Sequence, residues 1–287
     1  MSTNIEWTDL TDNIIRVKEG GWWCQKISEG CLHCYSEKIN QNTFFGGNKL
    51  AYAGSPPELT LDTEIIRQWG FQRKPKKHFV ASMTDVFGEW VPRYWQYEML
   101  DGMFVAPKQT FQVLTKRPEI MAATVEDWLL RHGLDQLPSN IWIGVSTENQ
   151  LTADERIPIL MQIKATVRFL SCEPLLEEID FIQAGVFQRL INDQYEWELV
   201  NEDIDWIIVG GESGTNSRPC HIEWIESIVQ QCQQSKTPVF VKQLGSNAFL
   251  NHQQFDTRDK KGGNIQEFPE HLQIREFPVL RHLEKVK

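Results

Sequence analysis

Short apolar runs, rich in β-branched and aromatic residues, alternate with amphipathic segments along the chain. Six runs are near-continuous, which is typical of parallel strands buried on both faces. They are His78–Met83, Thr110–Thr115, Ile141–Ser146, Val167–Ser171, Trp206–Val209 and Pro238–Lys242, with an earlier run at Asn13–Val17. Helices are predicted at Arg93–Phe104, Pro118–Arg131, Ala153–Ile163 and Ile222–Gln234. Because the strand and helix unit recurs about every 30 residues, the pattern predicts an α/β fold: a (β/α) barrel or partial barrel of six to seven parallel strands.

Polar and charged residues follow the predicted strands at their carboxyl ends. They are Asp85, Lys116, Arg117, Glu148, Asn149, Glu173, Glu212 and Lys242. In a (β/α) barrel this edge carries the active site, because loops from separate strands converge there. Helix capping explains part of the pattern, and strand termination with an ion pair is the alternative for Arg117 and Glu173. Cations such as Lys116 oppose the dipole at a helix N-terminus and favour an anionic ligand.

The composition predicts one barrel domain with a C-terminal extension. We expect the barrel over residues 1–245, with insertions near residues 40–62 and 181–205, where the sequence departs from the repeat. Residues 246–287 are more polar and are expected to pack on the barrel as an extension.

Charge and hydropathy exclude several classes of protein. The 287 residues are 41% hydrophobic, enough for a sizeable core, and the net charge of −10 disfavours a protein that coats nucleic acid or an anionic membrane. The net charge does not exclude a local basic groove that binds nucleic acid. We find neither a secretory signal nor about 18 uninterrupted apolar residues, so the expected location is the cytoplasm, away from membranes. Six cysteines are too few for a secreted disulfide scaffold.

One segment runs against the overall acidity. No acid occurs from Ile65 to Thr84. The cations in this segment are Arg67, Arg73, Lys74, Lys76 and Lys77, and the aromatic residues among them are Trp69 and Phe71. Cations interleaved with aromatic rings can bind a phosphate backbone and stack a base. The other interpretation is a solvated segment that leads into an inner strand.

Three cysteines lie in one short loop. Cys24, Cys31 and Cys34 form a C-x6-C-x2-C pattern. A structural zinc site usually needs a fourth Cys or His, and His33 lies too close to its neighbours in the turn to serve easily. Three thiolates can also hold a [4Fe–4S] cluster with one iron open to another ligand. The alternatives are zinc, a structural cluster, a cluster with an open iron, and three unligated thiols.

The same loop and several strand-end motifs resemble a phage-associated three-Cys-motif family whose members look like radical S-adenosylmethionine (SAM) barrels. The motifs are Cys24, Gly30-Cys31, Cys34-Tyr35-Ser36-Glu37, Leu114-Thr115-Lys116-Arg117-Pro118, Glu173-Pro174-Leu175-Leu176, Gly210-Gly211-Glu212-Ser213-Gly214 and Lys242-Gln243. The resemblance implies two cofactors, a [4Fe–4S] cluster on the three cysteines and SAM. The first cysteine spacing is longer than the usual C-x3-C-x2-C, and His33 replaces the aromatic residue before the third cysteine. Adenine would therefore stack on His33 or Tyr35.

The resemblance also implies roles for the strand-end residues. Arg117 or Lys116 would bind the SAM carboxylate, since a cation suits that group. Glu148, Asn149 or Glu173 would bind the ribose hydroxyls. The residues expected to face the substrate are Asp85, Glu212 and Lys242, with Arg218 and Gln243.

The predicted function is therefore a radical SAM enzyme that modifies an unidentified substrate, with a nucleic-acid component as the first candidate. The expected partners are SAM, that substrate, nucleic acid and a three-Cys-motif partner protein. One alternative is a non-catalytic metal- or cluster-binding phage or defence protein that acts with nucleic acid or a protein partner. Another is a redox sensor, which would assemble a cluster and bind no SAM.

Overall fold

A computed structural model of the chain describes residues 3–187, 189–190, 197–198 and 204–279. The chain divides into two compact units. The first comprises Met1–Gly144 with Ile163–Thr166, and the second comprises Val145–Gln162 with Val167–Lys287. The predicted domain boundary at residue 245 stays a prediction.

Strands and helices alternate through most of the described chain. The strands are β1 (Leu10–Asp12), β2 (Ile15–Val17), β3 (Leu59–Leu61), β4 (Lys77–Val80), β5 (Thr110–Thr115), β6 (Ile141–Ser146), β7 (Val167–Cys172), β8 (Arg189–Leu190), β9 (Trp197–Glu198), β10 (Trp206–Gly210), β11 (Cys220–His221), β12 (Val239–Gln243), β13 (Ala248–Leu250) and β14 (Gln253–Gln254). The α-helices are α1 (Tyr35–Asn40), α2 (Thr63–Trp69), α3 (Arg93–Phe104), α4 (Pro118–His132), α5 (Gln150–Gln162) and α6 (Ile222–Ser235). Short 3-10 helices cover Glu29–Cys31, Thr43–Phe45, Ile265–Glu267 and Glu270–Leu272.

Seven strands form the main sheet, in the order β1-β4-β5-β6-β7-β10-β12. Pairing is parallel through β1, β4 and β5, and again through β7, β10 and β12. Every residue of β6 and β10 is buried, as expected for strands covered on both faces. The predicted α/β class with six to seven parallel strands is confirmed. Among the described residues, β1 and β12 are the first and last strands of this order.

The predicted early strand is present as β2, which lies within Asn13–Val17 and precedes the cysteine loop. It pairs antiparallel with β3, whereas the first strand of the main sheet is β1, where Leu10 pairs with His78. The chain turns between β1 and β2 at Asn13, whose Oδ1 accepts hydrogen bonds from Ser82 Oγ and the Met83 amide. The predicted strand that ends at Met83 stops at Val80, because Ala81 has a φ of 60° and begins a turn.

The two predicted insertions differ in how much the structure describes. Residues 40–62 contain a 3-10 helix and β3, and their assignment as an insertion stays a prediction. Of residues 181–205, positions 188, 191–196 and 199–203 lie outside the described residues, and β8 pairs with β9. In the C-terminal part, Ala248 of β13 pairs with Cys220 of β11.

The core contains several tryptophans and three of the six cysteines. Trp128, Trp142 and Trp206 are buried. Cys172, Cys220 and Cys232 are also buried. No described helix combines the length and apolar character needed to cross a membrane.

Candidate functional site

The cysteine loop is attached to the carboxyl ends of β4 and β5. The hydroxyl of Thr84, in the turn after β4, donates a hydrogen bond of 2.7 Å to the carbonyl of Trp23. Arg117, just after β5, donates from Nη2 to the carbonyl of Gln25 at 3.1 Å. The backbone is therefore held on both sides of Cys24, at the strand edge where α/β proteins place their sites.

Arg117 is buried and fully engaged with groups of its own chain. Its Nε lies 2.8 Å from Oε2 of Glu89, its Nη1 lies 3.3 Å from Oδ2 of Asp85, and its Cζ lies 4.5 Å from the ring centroid of Trp90. Burial by itself lowers the pKa of Arg117, but the two carboxylates outweigh burial and raise it. The anions beside this cation are thus supplied by the protein. Its predicted role toward the SAM carboxylate stays a prediction.

Asp85 connects the ends of β4 and β5. Its Oδ1 accepts from the hydroxyl of Thr115 at 2.7 Å, and its Oδ2 accepts from the amide of Lys116 at 3.0 Å. The hydroxyl of Thr115 in turn accepts from the Arg117 amide. These donors come from both strand ends, so the Asp85 carboxylate ties the turn after β4 to the residues that follow β5. Asp85 therefore organises the strand edge, and the half-buried Lys116 extends from the same edge.

The loop thiols differ in their surroundings. Burial raises the pKa of the Cys24 thiol to about 12, and the nearby Asp85 carboxylate adds to the shift. Cys34 Sγ lies 3.0 Å from Ser36 Oγ, and Cys31 Sγ lies 3.9 Å from Ser28 Oγ. Cys24 and Cys34 interact electrostatically with each other and with the phenol of Tyr52, whose pKa is raised mainly by burial.

The donor set fits a thiolate-bound metal or cluster in chemical type. Cys24, Cys31 and Cys34 are free thiols, and soft thiolates suit zinc and iron–sulfur clusters. Among the described residues, no three His, Cys, Asp or Glu side chains are close enough together to hold a metal ion. Ligand deprotonation and loop closure commonly accompany metal binding, so a bound group would have to draw the three thiols together.

The two residues predicted to stack on adenine lie within the loop. Tyr35 is exposed and begins α1, and its hydroxyl donates to the Ser82 carbonyl at 2.7 Å. His33 is half-buried between Cys31 and Cys34. Tyr35 thus combines an accessible ring with a fixed hydroxyl at the end of β4, which suits a stacking residue.

Sequence reasoning missed Asn40, which anchors the loop to the insertion. Its side chain is fully buried: Oδ1 accepts from the Trp22 amide at 3.0 Å, and Nδ2 donates to Asn48 Oδ1 at 2.7 Å and to the Leu50 carbonyl at 3.1 Å. The backbone passes so close here that a Cβ on Gly21 would lie 2.7 Å from the Asn48 amide nitrogen. An Asn at the end of a short helix gives no sequence signal for such a role.

In the second unit, Glu148 and Asn149 are both engaged locally. Glu148 is fully buried, and its Oε2 accepts from Arg156 Nη1 at 2.9 Å. Asn149 Oδ1 accepts from the Thr152 amide at 3.0 Å and from its hydroxyl at 2.8 Å, which caps the start of α5. These partners account for both residues structurally, and their predicted contacts with ribose stay predictions.

Two ion pairs lie at the carboxyl ends of β7, β10 and β12. Lys242 Nζ lies 3.1 Å from Oε1 of Glu173, which follows β7. Gly210, at the end of β10, provides the space, since a Cβ there would lie 2.7 Å from Glu173 Oε1. Glu212 accepts from the amide of Arg218 at 2.8 Å and from its Nη2 at 2.7 Å. The structure thus brings together the predicted residues Glu173 and Lys242 as one charged pair.

One family model matches the chain. Its description is "Protein of unknown function (DUF5131)", and it matches residues 2–271. The searches of curated proteins and of solved structures found no match. The matched region contains every residue of the loop and of the strand edges described above.

Proposed function

Because the chain belongs to the DUF5131 family, whose description states no activity, we infer its function from the chemistry of its own side chains. We propose a radical SAM enzyme in which Cys24, Cys31 and Cys34 hold a [4Fe–4S] cluster. The observation that carries the proposal is the attachment of the cysteine loop to the carboxyl ends of β4 and β5. Enzymes built on parallel α/β sheets assemble their sites at that edge.

Cys24, Cys31 and Cys34 would hold the cluster, and the cofactor pair would supply the cleavage of SAM by one electron from an external reductant, to methionine and a 5′-deoxyadenosyl radical able to abstract hydrogen. The chain's residues bind and orient. Thr84 and Arg117 fix the carbonyls on either side of Cys24. Lys116, which follows β5 at the same edge, is our candidate for the SAM carboxylate, because its ammonium carries the charge that complements that group. The exposed ring of Tyr35 is our candidate for adenine stacking.

Anaerobic reconstitution with iron and sulfide tests the proposal. We expect about four irons and four sulfides per chain, a reducible cluster spectrum, and 5′-deoxyadenosine when SAM and dithionite are added. Cys31→Ala should lose the cluster, whereas Cys232→Ala, which removes a buried thiol of α6, should keep it. A folded wild-type sample with neither cluster nor SAM cleavage overturns the proposal.

A second candidate function is a protein whose cysteine loop holds a structural metal. The observation that favours it is that Arg117 donates hydrogen bonds to Asp85, Glu89 and the Gln25 carbonyl. These contacts give the cation a structural role within the protein. One zinc per chain without sulfide would support this candidate and refute the radical enzyme. A cluster that assembles and fails to bind SAM in equilibrium dialysis would indicate a redox sensor.

A further inference from the structure

A basic loop between α2 and β4 exposes an aromatic ring among cations. Phe71 is 71% exposed, and Arg73, Lys74 and Lys76 are exposed in the same loop. Trp69, the other aromatic residue of this segment, is buried and donates from Nε1 to Asp12 Oδ2 at 2.8 Å. The loop therefore offers one exposed ring rather than two, and Arg67 Cζ lies 5.6 Å from the centroid of that ring.

The loop is held in shape by a buried side chain from its neighbour. Gln109 Nε2 donates to the carbonyl of Gln72 at 3.0 Å, and its Oε1 accepts from the amide of Lys76 at 3.0 Å. Gln109 belongs to the turn before β5, so this side chain ties two loops together and places the exposed Lys108 beside the basic loop. We call Phe71, Arg73, Lys74, Lys76 and Lys108 the basic platform.

The cations of the basic platform lack carboxylate partners within the described part of the chain. Other exposed cations of this unit do have such partners: Lys18 Nζ lies 2.7 Å from Glu58, and Arg131 Nη2 lies 3.0 Å from Asp127. A protein with ten excess acids could readily neutralise four cations. Their common lack of a partner leaves a local positive field that favours a polyanion.

We propose that the basic platform binds single-stranded nucleic acid. The cations contact successive phosphates, and a base stacks on Phe71, the combination by which single strands are bound without sequence readout. A duplex hides its base faces and would use the cations alone. An anionic membrane is the competing partner, but interfacial binding normally uses the apolar face of an amphipathic helix rather than one ring in a loop.

This site is separate from the proposed cofactor site. The basic platform precedes β4 and β5, whereas Thr84 and Arg117, which hold the cysteine loop, follow these strands. A nucleic acid bound near the amino ends of β4 and β5 would contact the protein whether or not a cluster is present. The inference therefore does not depend on the radical SAM proposal.

Fluorescence anisotropy with a labelled 12-nucleotide oligothymidylate tests the inference over a range of salt concentrations. We expect binding that weakens with salt, with a log–log slope near −0.7 for each phosphate contact. Phe71→Ala should weaken binding by about tenfold, the usual effect of losing one stacked base. The double variant Lys74→Gln/Lys76→Gln should flatten the slope by about 1.4. Exposed positions elsewhere provide the matched controls: Phe44→Ala and Lys18→Gln should bind as wild type does.

Three results would overturn the inference: wild-type affinity in Phe71→Ala, equal affinity for a duplex of the same length with no effect of Phe71, or no binding at low salt. Binding to phosphatidylserine vesicles that depends on Phe71, without oligonucleotide binding, would assign the basic platform to membranes instead. Cys31→Ala separates the two proposals, because it should lose the cluster and keep oligonucleotide affinity.

Discussion

Arg117 donates a hydrogen bond of 3.1 Å to the carbonyl of Gln25, the residue after Cys24. The two residues are 92 positions apart in sequence, and this contact joins the end of β5 to the cysteine loop. Arg117 also balances two carboxylates, Asp85 and Glu89. One guanidinium thus couples the charge balance of the strand edge to the position of a candidate ligand.

We expect Arg117→Gln to lower the free energy of unfolding by about 3 kcal/mol, because it leaves the buried Asp85 carboxylate without its cation. Arg117→Lys should recover part of this loss of stability, because the ammonium keeps the positive charge. The recovery should be incomplete, because an ammonium cannot donate to three acceptors in one plane as the guanidinium does. Urea unfolding measures both.

The exposed pair of Arg131 with Asp127 provides the control for this prediction. Arg131→Gln should change stability by less than about 1 kcal/mol. Equal losses in the two Gln variants would contradict a special role for Arg117.

Gly210→Ala should destabilise the second unit by about 1–3 kcal/mol. The added Cβ would lie 2.7 Å from Glu173 Oε1 and 3.0 Å from the Gln243 carbonyl, so the ion pair of Glu173 with Lys242 must shift. Thermal unfolding measures the loss. Gly70→Ala is the matched control, because its nearest atom lies 3.9 Å away; a similar loss there would argue against crowding as the cause.

Protonation of Asp12 should lower the stability of the protein at low pH. Burial by itself raises the pKa of Asp12, but hydrogen bonds from His78 and Trp69 outweigh burial and hold the pKa below its ordinary value of 3.8. A group with a lowered folded pKa contributes stability above its unfolded pKa and loses it as the pH falls toward the folded pKa. The free energy of unfolding should therefore decrease as the pH is lowered below about 4.

Asp12→Asn should flatten that decline, because the amide does not titrate. Urea unfolding between neutral pH and about pH 3 measures it, and Asp256→Asn, at an exposed position, should follow the wild-type curve. An unchanged decline in Asp12→Asn would show that other carboxylates cause it.

Asn40→Ala should loosen the cysteine loop and lower the free energy of unfolding by about 2 kcal/mol. The variant would leave the buried Trp22 amide and the Leu50 carbonyl without their hydrogen-bond partner. Hydrogen exchange at Trp22 should accelerate. Asn42→Ala provides the comparison: Asn42 only caps an exposed 3-10 helix through the Phe44 amide, so its loss should be smaller. Faster exchange at Trp22 in the Asn42 variant would contradict this assignment.

The regular elements were predictable because their signals are local. Helix α3 and strands β5 and β6 have the predicted bounds, because the apolar pattern of consecutive residues indicates both helical periodicity and strands buried on both faces. The turn that separates Leu10–Asp12, in the main sheet, from the predicted strand at Ile15–Val17 had no such signal. Its cause is the hydrogen bonds of Asn13 with Ser82 and Met83, about 70 residues away.

The sequence by itself determined the fold class, the cysteine spacing and the set of polar residues that follow the strands. Only the tertiary structure decided which charges meet: Arg117 with Asp85 and Glu89, and Lys242 with Glu173 across Gly210. It also decided that Trp69 is buried and Phe71 exposed. The physical reason is that strand periodicity is fixed by neighbours in the chain, whereas ion pairs and burial depend on which distant loops the sheet brings together.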